Sequence, residues 1–109
     1  MKYVYFCLFL IMSFSVQASE IKNVRIQQIA MNHDQGDFVF IKLETAPSRA
    51  SCSTNGAWDY TLSLKDETYN SMYAMLLAAF MAGKQVNIGG TGTCNEFSQI
   101  ESISSFFVN

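Results

Sequence analysis

A single histidine, three cysteines (Cys7 in the N-terminal apolar run, and the well-separated Cys52 and Cys94), a glycine-rich run and one tryptophan are the groups in this chain from which chemistry could be built. His33 lies between Asn32 and Asp34 in "MNHDQGD", a run full of turn formers. A general base needs a partner to orient it and a substrate proton within reach. A histidine in such a turn predicts neither, so His33 reads as a solvated turn residue. The acid pairs Asp34/Asp37 and Asp66/Glu67 fall at a turn and at a helix start. No serine stands in a G-x-S-x-G elbow. The run "GGTGT" at 89–93 has the glycines of a phosphate cradle but lacks the Lys-Ser/Thr ending. It also follows a strand without opening a helix, so it reads as a tight turn delivering Cys94 to a partner. No catalytic residue and no cofactor are predicted. Two separated cysteines and one histidine do not make a zinc site, so no metal is predicted either.

Trp58 and Tyr60 could form a stacking platform for a sugar or a base. Their alternation with Asp59 and Thr61 favours instead a core-facing side of a strand. Nucleic-acid platforms add basic residues around such aromatics, and here Asp59 lies between them.

The elements that must hold these residues follow from periodicity. "IKNVRIQQIA" (21–30) alternates at Val24, Ile26 and Gln28, with Ile21 and Ile29 out of phase, which predicts a strand with a bulge. "FVFIKLE" (38–44) predicts its hairpin partner. "TAPSRASCSTNG" is a polar loop, and "AWDYTLSL" a half-buried strand. A helix follows. Ser63 or Asp66 can cap it. Tyr69, Met72, Tyr73, Leu76, Leu77 and Phe80 form its apolar stripe. Gly83 stops it, with Lys84 beside the negative end. "QVNIG" and "SQIESISSFFVN" are the last two strands. Three strands, a helix and two strands give a β-rich α+β class, a small five-stranded OB-like barrel with one helix between strands three and four. A five-stranded sheet with a helix across it is the alternative. Trp58, Leu62, Leu76 and Phe80 are the expected core.

The first residues, "MKYVYFCLFLIMSFSVQASE", read as a secretory signal: Lys2, an apolar run, then Val16-Gln17-Ala18 ahead of the cut. Cleavage is expected after Ala18, with Ser19 as the alternative, leaving residues 19–109 as one domain in the periplasm or outside the cell, with no membrane span. Without Lys2 the chain has six Lys and Arg against nine Asp and Glu, a net charge of about −3. That balance argues against nucleic acid, which needs a basic face. Cys52 and Cys94 are the cysteines left after cleavage, and in an oxidising compartment they are expected to form a disulfide.

The run from Cys52 to Ile88 resembles the B subunits of the subtilase-cytotoxin and typhoid-toxin type. It has a cysteine a few residues before a tryptophan, a helix rich in Leu, Ala, Tyr and Phe, and "AGKQVNI" at the helix end. The resemblance implies an OB-fold, a five-membered ring with its helices near a central pore, and glycan binding on the barrels. Those subunits pair the matching cysteine with one in the second strand, where this chain has Val39 and Phe40. No sugar-binding residue is carried over.

From Thr68 to Gly83 no residue is charged. A surface helix normally puts charge on its solvent side. Here the side away from the stripe carries Asn70, Ser71, Ala74, Met75, Ala78 and Met81. Ala74, Met75, Ala78 and Met81 are therefore expected to pack against copies of the chain or a partner chain; the alternative is a helix buried on both sides by the chain's own loop "TAPSRASCSTNG" or tail "SSFFVN". The reading these residues favour is an exported, non-enzymatic binding module, an oligomeric, glycan-binding, B-subunit-like protein. The alternative is a periplasmic inhibitor or accessory protein that caps a protein partner.

Overall fold

The computed structural model describes residues 18–109. The expected signal segment, apart from Ala18, lies outside the described residues. Five strands and one helix follow in the expected order: β1 (Glu20–Met31), β2 (Phe38–Leu43), β3 (Tyr60–Ser63), α1 (Glu67–Ala82), β4 (Gln85–Gly90) and β5 (Glu101–Val108). The strands close into a ring in the order β1-β2-β3-β5-β4, with β4 returning to β1. The sheet is mixed: β3 and β5 run parallel and the other pairs antiparallel.

The closure depends on β1. Its first half pairs with β4, from Glu20↔Gly89 to Arg25↔Gln85, and its second half with β2, from Ile26↔Leu43 to Met31↔Val39. Each half contains a register shift, one between Ile21 and Val24 and one between Ile26 and Gln28. An inserted residue bends a strand and reverses the faces of the residues beyond it. Ile21, Val24, Ile26 and Ile29 therefore all reach the core despite their broken alternation. Asn23, at the first shift, takes a left-handed φ of 54°, which asparagine tolerates. Its N–H is held by Asn87 Oδ1 at 2.9 Å. The core inside the ring is built from Val39, Ile41 and Leu43 of β2, Tyr60 and Leu62 of β3, Val86 and Ile88 of β4, and Ile103 and Phe106 of β5.

The helix lies against β1, β3 and β5. Of the two capping candidates, Asp66 is the cap: its Oδ1 accepts the Thr68 N–H at 2.9 Å. Ser63 Oγ accepts only the Lys65 N–H, at 3.4 Å. At the other end Gly83 is left-handed at φ 64°, and its carbonyl accepts from Arg25 Nε at 3.2 Å. A cation thus reaches the negative helix end, but from β1 and through Arg25.

Two of the four expected core residues are buried, Leu62 and Leu76. Phe80 is 36% exposed, and Trp58 is only half-buried. The residues of α1 that are fully covered are Leu76 and Ala79, with Tyr69, Met72 and Tyr73 packed beside them. At about 100° per residue, a contact line through Leu76 and Ala79 leaves Phe80 at its edge and Leu77 well outside it. Trp58 fails for a different reason. It precedes β3, so the alternation that carries Tyr60 and Leu62 inward does not extend to it.

Cys52 and Cys94 are joined by a disulfide with Cα atoms 6.0 Å apart. It ties the loop before β3 to the loop before β5. Backbone bonds from Thr54 N and Asn55 N to Gln99 O, at 3.1 and 3.0 Å, run beside it. Arg49 holds the first loop from within, donating to Asn55 O at 2.8 Å and to Asp59 Oδ1 at 2.7 Å. Asp59 is buried, and its second oxygen accepts from Leu43 N at 2.8 Å.

Candidate functional site

The helix presents its uncharged residues to solvent. Ala74, Met75, Ala78 and Met81 are all exposed, Met75 by 46% and Met81 by 81%. Leu77, placed in the core stripe by its spacing, joins them at 37% exposure. Ala74, Ala78 and Ala82 recur every four residues and form a low ridge. The methionines and Leu77 flank it. Small residues allow a second backbone to approach, and methionine adapts to an irregular partner. One charged residue, Glu67, stands on the whole helix, and it lies in the first turn.

A second surface feature is aromatic. Phe40 stacks against Trp58, with ring centroids 5.8 Å apart, and edge-on against Phe97 at 4.9 Å. Phe38 meets Phe97 at 5.4 Å, and Lys65 Nζ sits 5.8 Å from the Phe38 ring centre. Phe38 and Phe40 alternate with core-facing Val39 and Ile41, so this cluster covers the outer side of β2. The core-facing reading of Trp58 and Tyr60 holds for Tyr60 and fails for Trp58, and the two form no platform. Tyr60 is fully buried, and Trp58 packs with Phe40 on the other side of the sheet.

Polar groups gather inside. Tyr60, Ser19 and Glu101 form a buried relay: Tyr60 OH and Ser19 Oγ share a hydrogen bond at 2.6 Å, and Ser19 Oγ donates to Glu101 Oε1 at 2.6 Å. Glu101 Oε2 accepts from Ser19 N at 3.2 Å and Gly92 N at 3.0 Å. A Cβ at Gly90 would overlap the Glu101 carboxylate, so the glycine-rich run makes room for a side chain as well as a turn. Burial, reinforced by the Glu101 and Asp59 charges, pushes the Tyr60 phenol up to about 12 against the pull of its Ser19 hydrogen bond. These groups are sealed from substrate, so the relay holds structure together and offers no surface for chemistry.

His33 stands fully in solvent in the turn after β1, 3.7 Å from an equally exposed Asp34. Near the start of α1 an open groove of about 640 Å³ is lined by Lys65, Asp66, Glu67, Tyr69 and Glu96 among others. Burial, then the Glu96 and Asp66 charges, raise the Tyr69 pKa. Among the described residues no group of three or more His, Cys, Asp or Glu is placed to hold a metal ion. No helix of the described residues is long and apolar enough to cross a membrane.

No family model, curated protein or solved structure matches this chain. The sequence pattern pointed to the outer helix residues but missed Leu77, because i, i+4 spacing cannot say which edge of an apolar stripe the sheet will cover. It missed the buried relay as well. Glu101 shares the parity of core-facing Ile103, and that is the signal of its burial in the sequence.

Proposed function

We propose that this protein is an exported, non-enzymatic binding module built on an OB-like barrel, and that its copies associate through the outer face of α1. The observation that carries the reading is this face: sixteen helical residues bearing one charge, with Met75, Leu77 and Met81 exposed around a ridge of alanines. An uncharged face meets its own copy without like-charge repulsion, and the ridge permits close helix approach. The closed order β1-β2-β3-β5-β4, with the helix between β3 and β4, supports the OB-like part. The Cys52–Cys94 bridge supports folding in an oxidising compartment. Glycan is the ligand class that the resemblance to toxin B subunits supplies.

Native mass spectrometry of the exported protein tests the assembly, with a glycan array for the ligand. The reading expects a defined homo-oligomer that retains a set of glycans. A strictly monomeric protein that co-purifies in one-to-one proportion with a single periplasmic protein would replace it with the alternative, an inhibitor or accessory protein using the same helix face.

A further inference from the structure

Glu101 is 1% exposed, and both of its carboxylate oxygens act as acceptors, from Ser19 Oγ, Ser19 N and Gly92 N. That is the pattern of an ionised group. A buried carboxylate ordinarily has a cation beside it. Among the described residues no Lys, Arg or His side chain pairs with Glu101. Arg49, whose charge is felt at Tyr60, is already engaged by Asp59 at 2.7 Å. The remaining neighbours are Tyr60, a neutral phenol, and backbone.

The nitrogen 3.2 Å from Glu101 Oε2 belongs to Ser19, the residue that follows the expected cleavage site. Ser19 is buried and fixed on three sides. Its carbonyl accepts from Gly90 N at 2.9 Å, its hydroxyl bridges Tyr60 and Glu101, and Glu20 pairs with Gly89. Ala18, one residue earlier, is exposed.

We infer that the missing counter-ion is the chain's own α-amino group, created on Ser19 when a signal peptidase hydrolyses the Ala18–Ser19 bond. Water adds across that bond. The hydroxyl goes to the Ala18 carbonyl carbon, the C–N bond breaks, and the Ser19 nitrogen leaves as an amine that is protonated near neutral pH. One amide donor becomes an ammonium with three, in a place already occupied by hydrogen bonds to a carboxylate. Processing thus completes the closure of β1 on β4 with a buried ion pair, and a chain cut elsewhere lacks it. The inference rests on the export reading but not on oligomerisation or glycan binding.

The test uses protein exported from the full chain, with intact mass and N-terminal sequencing to fix the mature end. An amine-acylating ester at neutral pH, followed by peptide mapping, then compares native and denatured protein. An ammonium held by Glu101 reacts through its neutral form, which falls roughly tenfold for each unit its pKa rises. The native Ser19 amine is expected to react at least about tenfold more slowly than the denatured one. Glu101→Gln retains the side-chain size but removes the charge, and should restore most of the lost reactivity. A glycine inserted between Ala18 and Ser19 displaces the amine by one residue and should restore it too, which decides the matter if Glu101→Gln does not fold. A native Ser19 amine as reactive as the denatured one overturns the inference. So does protection unchanged in Glu101→Gln or in the insertion, since burial alone would then explain it. Export with a different mature end overturns this inference alone, whereas an uncut cytoplasmic chain overturns the export reading with it.

Discussion

Glu101 and Met81 both sit against the usual distribution of polar and apolar side chains, but in opposite senses. The carboxylate is sealed inside the ring, and the thioether chain lies almost entirely in water. The inner exception is satisfied by its own chain, since Ser19 and Gly92 supply donors and Gly90 supplies space. The outer exception is not satisfied. The described chain leaves Met75 and Leu77 partly open to water and Met81 almost wholly so. A buried polar group with all its partners is a device of folding, whereas a solvent-facing apolar row calls for a partner from outside. That contrast is the reason the proposed association is put on the helix face and not in the interior.

The contrast can be broken most severely at the bridge that pins the two loops over the outer side of β2. Replacing Cys52 and Cys94 by serine removes the closure of a 42-residue separation and should lower unfolding stability by about 4 kcal/mol. Chemical denaturation of the exported variant beside wild type measures it. An unchanged midpoint would mean that the loops are held by the Gln99 and Arg49 hydrogen bonds alone.

Next in size is the comparison of neighbours on the helix. Leu76→Ala should cost about 3 kcal/mol, because it opens a cavity at a fully buried site. Leu77→Ala should cost less than about 1 kcal/mol. Thermal melts of both variants sharpen the division between the two sides of α1, and equal losses would show Leu77 to be covered.

The interior relay predicts a pH dependence. Tyr60 has its pKa raised to about 12 from 10. The unfolded chain therefore loses the phenolic proton first, and the folded state binds more protons in between. Stability from this group is full below pH 10 and declines as pH rises towards 12, by roughly 3 kcal/mol at most. Tyr60→Phe should flatten that slope, and denaturation midpoints across the alkaline range read it directly.

Much of the architecture could be read from the chain because each element carried its own local signal. Asp66 and Gly83 marked the ends of α1, the aromatic and branched residues of 38–43 marked β2, and the cysteine pair marked the bridge. What could not be read depended on long-range geometry. The two bulges of β1 decide which of its isoleucines turn inward, the line along which α1 meets the ring decides that Ala79 and not Phe80 is covered, and Trp58 lies two residues ahead of β3. The outer helix residues were legible for a simple reason: a missing charge is visible without knowing the fold.

The smallest expected effect on stability belongs to the helix face itself, and it carries the largest consequence for assembly. Met81→Gln and Ala78→Glu change exposed positions and, at concentrations where wild type is dissociated, should leave unfolding stability within about 0.5 kcal/mol of wild type. Sedimentation velocity of the exported protein over a wide concentration range, beside Ala78→Glu, tests the helix face as the site of association most directly. The account predicts a discrete oligomer for wild type and a folded monomer for Ala78→Glu, since a carboxylate placed on the alanine ridge would be buried without a partner charge. A wild-type protein that stays monomeric throughout, or an Ala78→Glu variant that assembles as wild type does, would contradict it.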